Sequence, residues 1–235
     1  MAPLLSRLGV ARGGFGFDRR KVVSATPTGL IFPSNALFAY SGDGDDTDLT
    51  GNANTIINNP GYSGAQAKWG SYSESFYVNG TGYSRVETPV FEHTGEWSIE
   101  FWCYATIWAG DYLLTSGTEA QNPSGPAINV QADQFRTYGG FFSNNRVDYS
   151  ITTSTLLNQW NFWQIYRNGS TTRYVLNGSE ITNCGSNANE INHLVFGNKE
   201  PSDNTPITGY FNDIVVYEGG ASRGQQSVPT TPFGL

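Results

Sequence analysis

From about Leu37 onward, apolar and polar residues alternate in short runs, and Gly, Asn, Asp or Pro breaks each run after a few residues. A period of two marks half-buried strands, because successive side chains leave a strand on opposite faces. The longest run, EWSIEFWCYATIW (96–108), puts Trp97, Ile99, Phe101 and Cys103 on one face and Glu100, Trp102 and Tyr104 on the other. SFYVNGTGYSRVE (75–87) is two short runs joined through Asn79-Gly80, the strongest short turn signal. NFWQIYRNGSTTRYVLNGSEI (161–181) reads as the clearest hairpin, turning at Asn168-Gly169 and again at Asn177-Gly178. DYLLTSG, PAINVQ, QFRTYGGFFSNNRVDYSI, HLVFGN and GYFNDIVVYEG supply the remaining strands. No stretch holds apolar residues at i, i+3, i+4 and i+7 long enough for a helix. The pattern predicts about ten to fourteen antiparallel strands in two sheets packed roughly 10 Å apart.

Three segments follow. Residues 1–33 form a Gly-rich basic arm, 34–221 the strand-patterned body, and 222–235 a Pro-containing tail. Within residues 1–30, Arg7, Arg12, Arg19, Arg20 and Lys21 against Asp18 give +4, which leaves −11 on the rest of a chain of net charge −7. So acidic a body excludes nucleic acid as its partner. Phe15 and Phe17 are unusual in a free linker, and apolar residues there suit a segment that orders against a partner. Arg12, Phe15, Phe17, Arg19 and Arg20 are the candidate anchors; a solvated tail is the alternative. Charged residues make up only 14% of the chain, so Ser, Thr, Asn, Gln and Gly must cover much of the surface. No segment approaches the ~20 apolar residues of a membrane span. MAPLLSRLGV lacks the long apolar core of a signal peptide, which suggests synthesis in a cytoplasm without export.

Several segments, in order, resemble laminin-G-like members of the concanavalin A-like lectin/glucanase superfamily. These are AKWGSYSESFYVNGTGYSRVE, GEWSIEFWCYA with Glu100-Phe101-Trp102, LLTSG, LNQWNFWQIYRNGSTTRYVLNGSEI and GYFNDIVVYEGGA. The resemblance covers roughly residues 36–221 and implies an all-β, two-sheet antiparallel jelly-roll sandwich behind an extended arm. SRLGVARGGFGF and the terminal VPTTPFG resemble peripheral virion proteins of tailed phages, which implies a capsid-decoration or tail/fibre role on a virion made in a host cytoplasm. Other virion proteins, met through the arm, are then the partners. A homo-oligomer is an open expectation, since nothing encodes a coiled coil.

Candidate chemistry is sparse. Hydrolases of this fold carry Glu-x-Asp-x-x-Glu on one strand, with paired carboxylates for retaining hydrolysis. Here the counterpart is Phe211-Asn212-Asp213-Ile214-Val215-Val216, with Phe211 and Val216 at the two Glu positions, so that motif cannot act and a non-enzymatic role is expected. Glu92, Glu96 and Glu100 read as exposed edge carboxylates, and His93 and His193 as surface or strand-end residues. No cofactor is required. Asp43, Asp45, Asp46 and Asp48 lie in a Gly-rich loop and offer the hard oxygens that suit Ca²⁺; the alternative is an acidic turn that aids solubility, with Asp chosen for Asx-turns. For host glycans, the candidates are Trp102, Tyr104, Trp108, Tyr138 and Asn144, where rings would stack on sugar C–H faces and amides would bind hydroxyls. The alternative for the rings is core packing. Cys103 and Cys184 either pair or stay as buried thiols. Three functions follow in order: a virion-surface structural protein, a glycan-binding adhesin, and, last, a glycoside hydrolase.

Overall fold

A computed structural model describes residues 35–42, 44, 46–52, 54–56, 61–69, 75–80, 84–91, 93–108, 112–116, 125–131, 133–138, 146–185, 190–191, 193–198 and 207–233. In chain order its strands are β1 (Ala36–Tyr40), β2 (Tyr62–Ser63), β3 (Ser75–Asn79), β4 (Val86–Glu87), β5 (His93–Thr94), β6 (Trp97–Ile107), β7 (Tyr112–Ser116) and β8 (Ala127–Gln131). There follow β9 (Gln134–Tyr138), β10 (Arg146–Ser150), β11 (Trp160–Asn168), β12 (Thr171–Leu176), β13 (Ser179–Gly185), β14 (Glu190–Ile191), β15 (Leu194–Phe196) and β16 (Thr208–Glu218). One short helix, α1 (Gly220–Arg223), follows β16. The strands form an eight-stranded sheet, β13-β12-β11-β6-β16-β3-β2 with β1 also on β16, a six-stranded sheet, β10-β9-β8-β7-β15-β4, and a separate two-stranded ribbon, β14-β5. The pairings are antiparallel throughout. This is the predicted two-sheet sandwich. Among the described residues no helix is long and apolar enough to cross a membrane.

The core lies between the sheets and follows the alternation. Trp97, Ile99, Phe101 and Cys103 of β6 meet Trp163 and Ile165 of β11 and Phe211, Ile214 and Val216 of β16 in one buried cluster with Ile128, Val130 and Phe135 of the facing sheet. Side chains of this size stabilise by about 1.5–3 kcal/mol each when fully buried. The phenol of Tyr174 on β12 crosses between the layers and donates to the carbonyl of Tyr138 on β9. Cys103 and Cys184 are both free and buried, and burial raises both thiols, Cys184 to about 11.

On β16 the alternation breaks once. Phe211 and Ile214 both face the core although three positions separate them. The cause is a bulge between Asn212 and Val215 against β6, with Asp213 at φ 48. Asp tolerates this left-handed backbone better than most residues, and such a bulge inserts one residue and re-phases the strand. It is also where β16 exchanges β3, paired up to Phe211, for β1, paired from Ile214.

Candidate functional site

Opposite the core, the outer face of the eight-stranded sheet carries even-numbered residues of β6 and their partners. Register places Trp160 of β11 opposite Tyr104 of β6, Tyr104 opposite Tyr210 of β16, and Tyr210 opposite Tyr77 of β3. Four aromatic rings on four adjacent strands therefore form one row across the sheet. Centroids are 5.6 Å apart for Tyr104–Trp160, 6.0 Å for Tyr104–Tyr210 and 4.9 Å for Tyr77–Tyr210. The four residues are all half-buried, so each ring packs on its neighbours and also meets solvent. At Gly209, beside Tyr210, a Cβ would lie 2.4 Å from the Tyr104 carbonyl oxygen; glycine there lets β16 approach β6 and keeps the rings in register. Burial raises the Tyr210 phenol, with Tyr77 and Tyr104 adding to the shift and a hydrogen bond with Ser63 opposing it.

Part of the rest of this face is covered, while Arg173 of β12 and Glu180 of β13 pair at an exposed end of it. Next to the row on β6 and β11, Trp102 and Phe162 lie in contact (5.4 Å). Lys68 Nζ sits 3.7 Å from the Trp102 ring centroid, and Trp69 meets the same ring edge-on at 5.7 Å. The Trp69 indole N–H donates to Asp213 Oδ2 (2.5 Å) at the bulge. Burial pulls Lys68 below the ordinary lysine value, and the Asp213 charge opposes this.

Beyond Trp102 the C-terminal segment lies on the sheet. Arg223 donates to both carboxylate oxygens of Glu100, each at 2.8 Å, and Glu100 is 0% exposed. Ser98 Oγ and Gln164 Nε2 also donate to Glu100 Oε1. Gln164 Oε1 accepts from the Gln226 backbone, and Gln164 Nε2 donates to the Gly224 carbonyl. Phe233 rests 6.2 Å from Phe162, and its N–H donates to Asp213 Oδ2. A Cβ at Gly220 would meet the Trp97 carbonyl oxygen at 2.1 Å, so only glycine seats α1 this closely. The expectation of exposed edge carboxylates is therefore wrong for Glu100, whose strand is central and whose side chain lies under α1 and the tail. Glu96 accepts from the Gly169 and Ala221 backbones, and Glu92 lies outside the described residues. His193 stands at a strand end, directly before β15, but is buried and not at the surface, and its Nε2 is 3.0 Å from Glu87.

Of the predicted glycan residues, Tyr104 is in the row. Trp102 is on the same face but 2% exposed beneath Lys68 and Trp69. Trp108 packs edge-on to Phe135 and donates to the Thr153 carbonyl at one end of the core. Tyr138 is in the other sheet, stacked on Tyr112 and 5% exposed. Asn144 lies outside the described residues. The four described candidates thus do not form one patch, while Tyr77, Trp160 and Tyr210 were missed because their adjacency comes from strand order.

In the acidic loop, Asp48 is buried, and its Oδ1 accepts from Ala39 N, Thr50 N and Thr50 Oγ1, its Oδ2 from Asn54 Nδ2. Asp46 accepts from the Tyr62 phenol. Asp43 and Asp45 lie outside the described residues, as do the arm candidates Arg12, Phe15, Phe17, Arg19 and Arg20. Among the described residues no three His, Cys, Asp or Glu side chains group as a metal set.

No protein-family model and no curated protein matches this sequence. Solved structures do. Domain 4 of AbnA, a GH43 extracellular arabinanase from Geobacillus stearothermophilus, in complex with arabinotriose, is similar with TM-score 0.57 and 18% identity over 79% of this chain and 93% of that one. Botulinum neurotoxin type C, whose passage into cells depends on interaction with two ganglioside molecules, is similar with TM-score 0.59 and 14% identity over 80% and 50%. The binding domain of botulinum neurotoxin DC in complex with SialylT gives 0.58 and 15% over 78% and 48%. The likeness is one of fold. This chain spans about half the length of the toxin chains and nearly all of the arabinanase domain.

Proposed function

We propose that this chain is a carbohydrate-binding module that meets its ligand on the aromatic row Trp160-Tyr104-Tyr210-Tyr77. The row itself carries the reading: four half-buried rings in direct register on strands of one sheet. Strands hold their side chains more firmly than loops, so little ordering entropy is lost on binding. Sugar rings offer apolar C–H faces to aromatic rings, while their hydroxyls find the three phenols and the Trp160 indole N–H. The row crosses four strands, three spacings of about 4.8 Å, which suits about three linked sugar rings. The arabinotriose carried by the similar arabinanase domain supports this scale.

The reading is binding without turnover. Phe211 and Val216, at the two Glu positions of the hydrolase motif, face the core. The Asp213 carboxylate accepts from Trp69 and Phe233, and Glu100 pairs with Arg223. The reading places glycan recognition ahead of the virion-anchoring role, whose candidate residues all belong to the arm. A glycan array probed with wild type, Trp160→Ala and Tyr138→Ala tests it. Binding by wild type and Tyr138→Ala with at least a tenfold loss for Trp160→Ala, about 1.4 kcal/mol, is the expected result. Equal binding by all three proteins would remove the row from the account.

A further inference from the structure

We infer that this face selects uncharged glycans and rejects acidic ones, an inference that rests on the glycan-binding reading above. Two positions along from each ring on its own strand stand Phe162 on β11, Trp102 and Thr106 on β6, Thr208 and Asn212 on β16, and Asn79 on β3. None is charged. Thr106 Oγ1 donates to the Thr208 carbonyl, so the rim there is neutral and already ordered. Among the described residues two charges border this frame, Lys68 above Trp102 and Asp213 at the bulge, and they act on one another. The Asp213 carboxylate is further taken up by the Trp69 indole and the Phe233 N–H.

A uronate or sialate carboxylate laid on this row would lose water and, among the described residues, meet no arginine beside the rings and only the Lys68 ammonium, which already faces the Trp102 ring and the Asp213 charge. Recognition of a carboxylate usually takes a guanidinium or ammonium partner, and an unpaired charge placed on apolar rings is strongly disfavoured. The long-range field works in the same direction, because residues 31–235 carry −11 of the chain's −7 and repel anionic polymers at low salt. Rejection here comes from a bordering cation that is already engaged and from an opposing field, and building in such penalties is an ordinary means of specificity.

The test measures binding of the full chain, and of Tyr104→Ala, to neutral polysaccharides (arabinan, xylan, β-glucan) and acidic glycans (polygalacturonate, hyaluronan, a sialylated oligosaccharide), each at low and high salt. The expected result is binding to at least one neutral polymer that changes less than about twofold with salt and is lost in Tyr104→Ala. The acidic ligands should bind at least about tenfold more weakly at low salt, and Thr106→Lys, which adds a cation at the rim, should narrow that gap. An acidic ligand bound tightest through Tyr104, with affinity falling as salt rises, overturns the selectivity while leaving the glycan reading standing. Absence of binding to either class, or binding indifferent to Tyr104→Ala, overturns the glycan reading and this inference with it.

Discussion

Substitution of Arg223 by Met should cost this protein roughly 2–4 kcal/mol, and the structure says where that comes from. Glu100 sits in a central strand at 0% exposure. Arg223 satisfies both of its oxygens at 2.8 Å, and only Ser98 and Gln164 remain as donors after the change. Methionine keeps most of the apolar contact that the arginine makes over Tyr217, 4.1 Å from its ring centroid, so the loss is mainly an uncompensated buried carboxylate. Removing one partner of such a pair costs about 3–5 kcal/mol when burial is complete. Arg223 is 21% exposed, which lowers the figure. With a urea m-value of about 2 kcal/mol/M, the midpoint should fall by roughly 1–2 M. Glu100→Gln in the same background should recover much of the loss, because neutralising the orphaned acid removes its desolvation penalty. A midpoint for Arg223→Met within about 0.25 M of wild type, or no recovery in the double variant, would refute the view that this pair fixes the C-terminal segment to the sheet.

Two further outcomes follow from the same physics. Asp48→Ala strips the acceptor from four donors of the 48–54 turn and the β1 backbone and should destabilise by about 2–3 kcal/mol, seen as a lower thermal midpoint. The His193 hydrogen bond holds the Glu87 carboxyl at about 2 against an ordinary 4.5, with burial opposing and Arg85 assisting. Its folded value is depressed, so its contribution, at most about 3 kcal/mol, is complete above pH 4.5 and drains away as pH falls towards 2. Unfolding measured across that window should show this slope in wild type and a shallower one in His193→Gln.

Much of the fold was legible in the chain because alternation is a local signal. Trp97, Ile99, Phe101 and Cys103 face the core as the 96–108 pattern requires, and the predicted turns fall at Gly169 (φ 59) and at Asn177-Gly178 (φ 49 and 80). The site was less legible because it depends on register between strands far apart in sequence. Tyr104 was visible as an outward aromatic, but nothing local says that β6 lies between β11 and β16, which alone brings Trp160, Tyr210 and Tyr77 beside it. Trp102 shares that outward face yet is covered, because Lys68 and Trp69 arrive from a separate loop. Glu100 and Arg223 meet across 123 positions. One signal was available: Asp213 interrupts an apolar strand where the bulge falls, and Asp tolerates the left-handed backbone it takes there.

Calorimetric titration of the tightest-bound neutral polysaccharide into wild type and into Tyr104→Ala/Tyr210→Ala, with circular dichroism confirming the fold of each, tests the central claim most directly. The account predicts saturable binding by wild type and a loss of at least tenfold, about 1.4 kcal/mol, in the double variant. Undiminished binding by a folded double variant would contradict it.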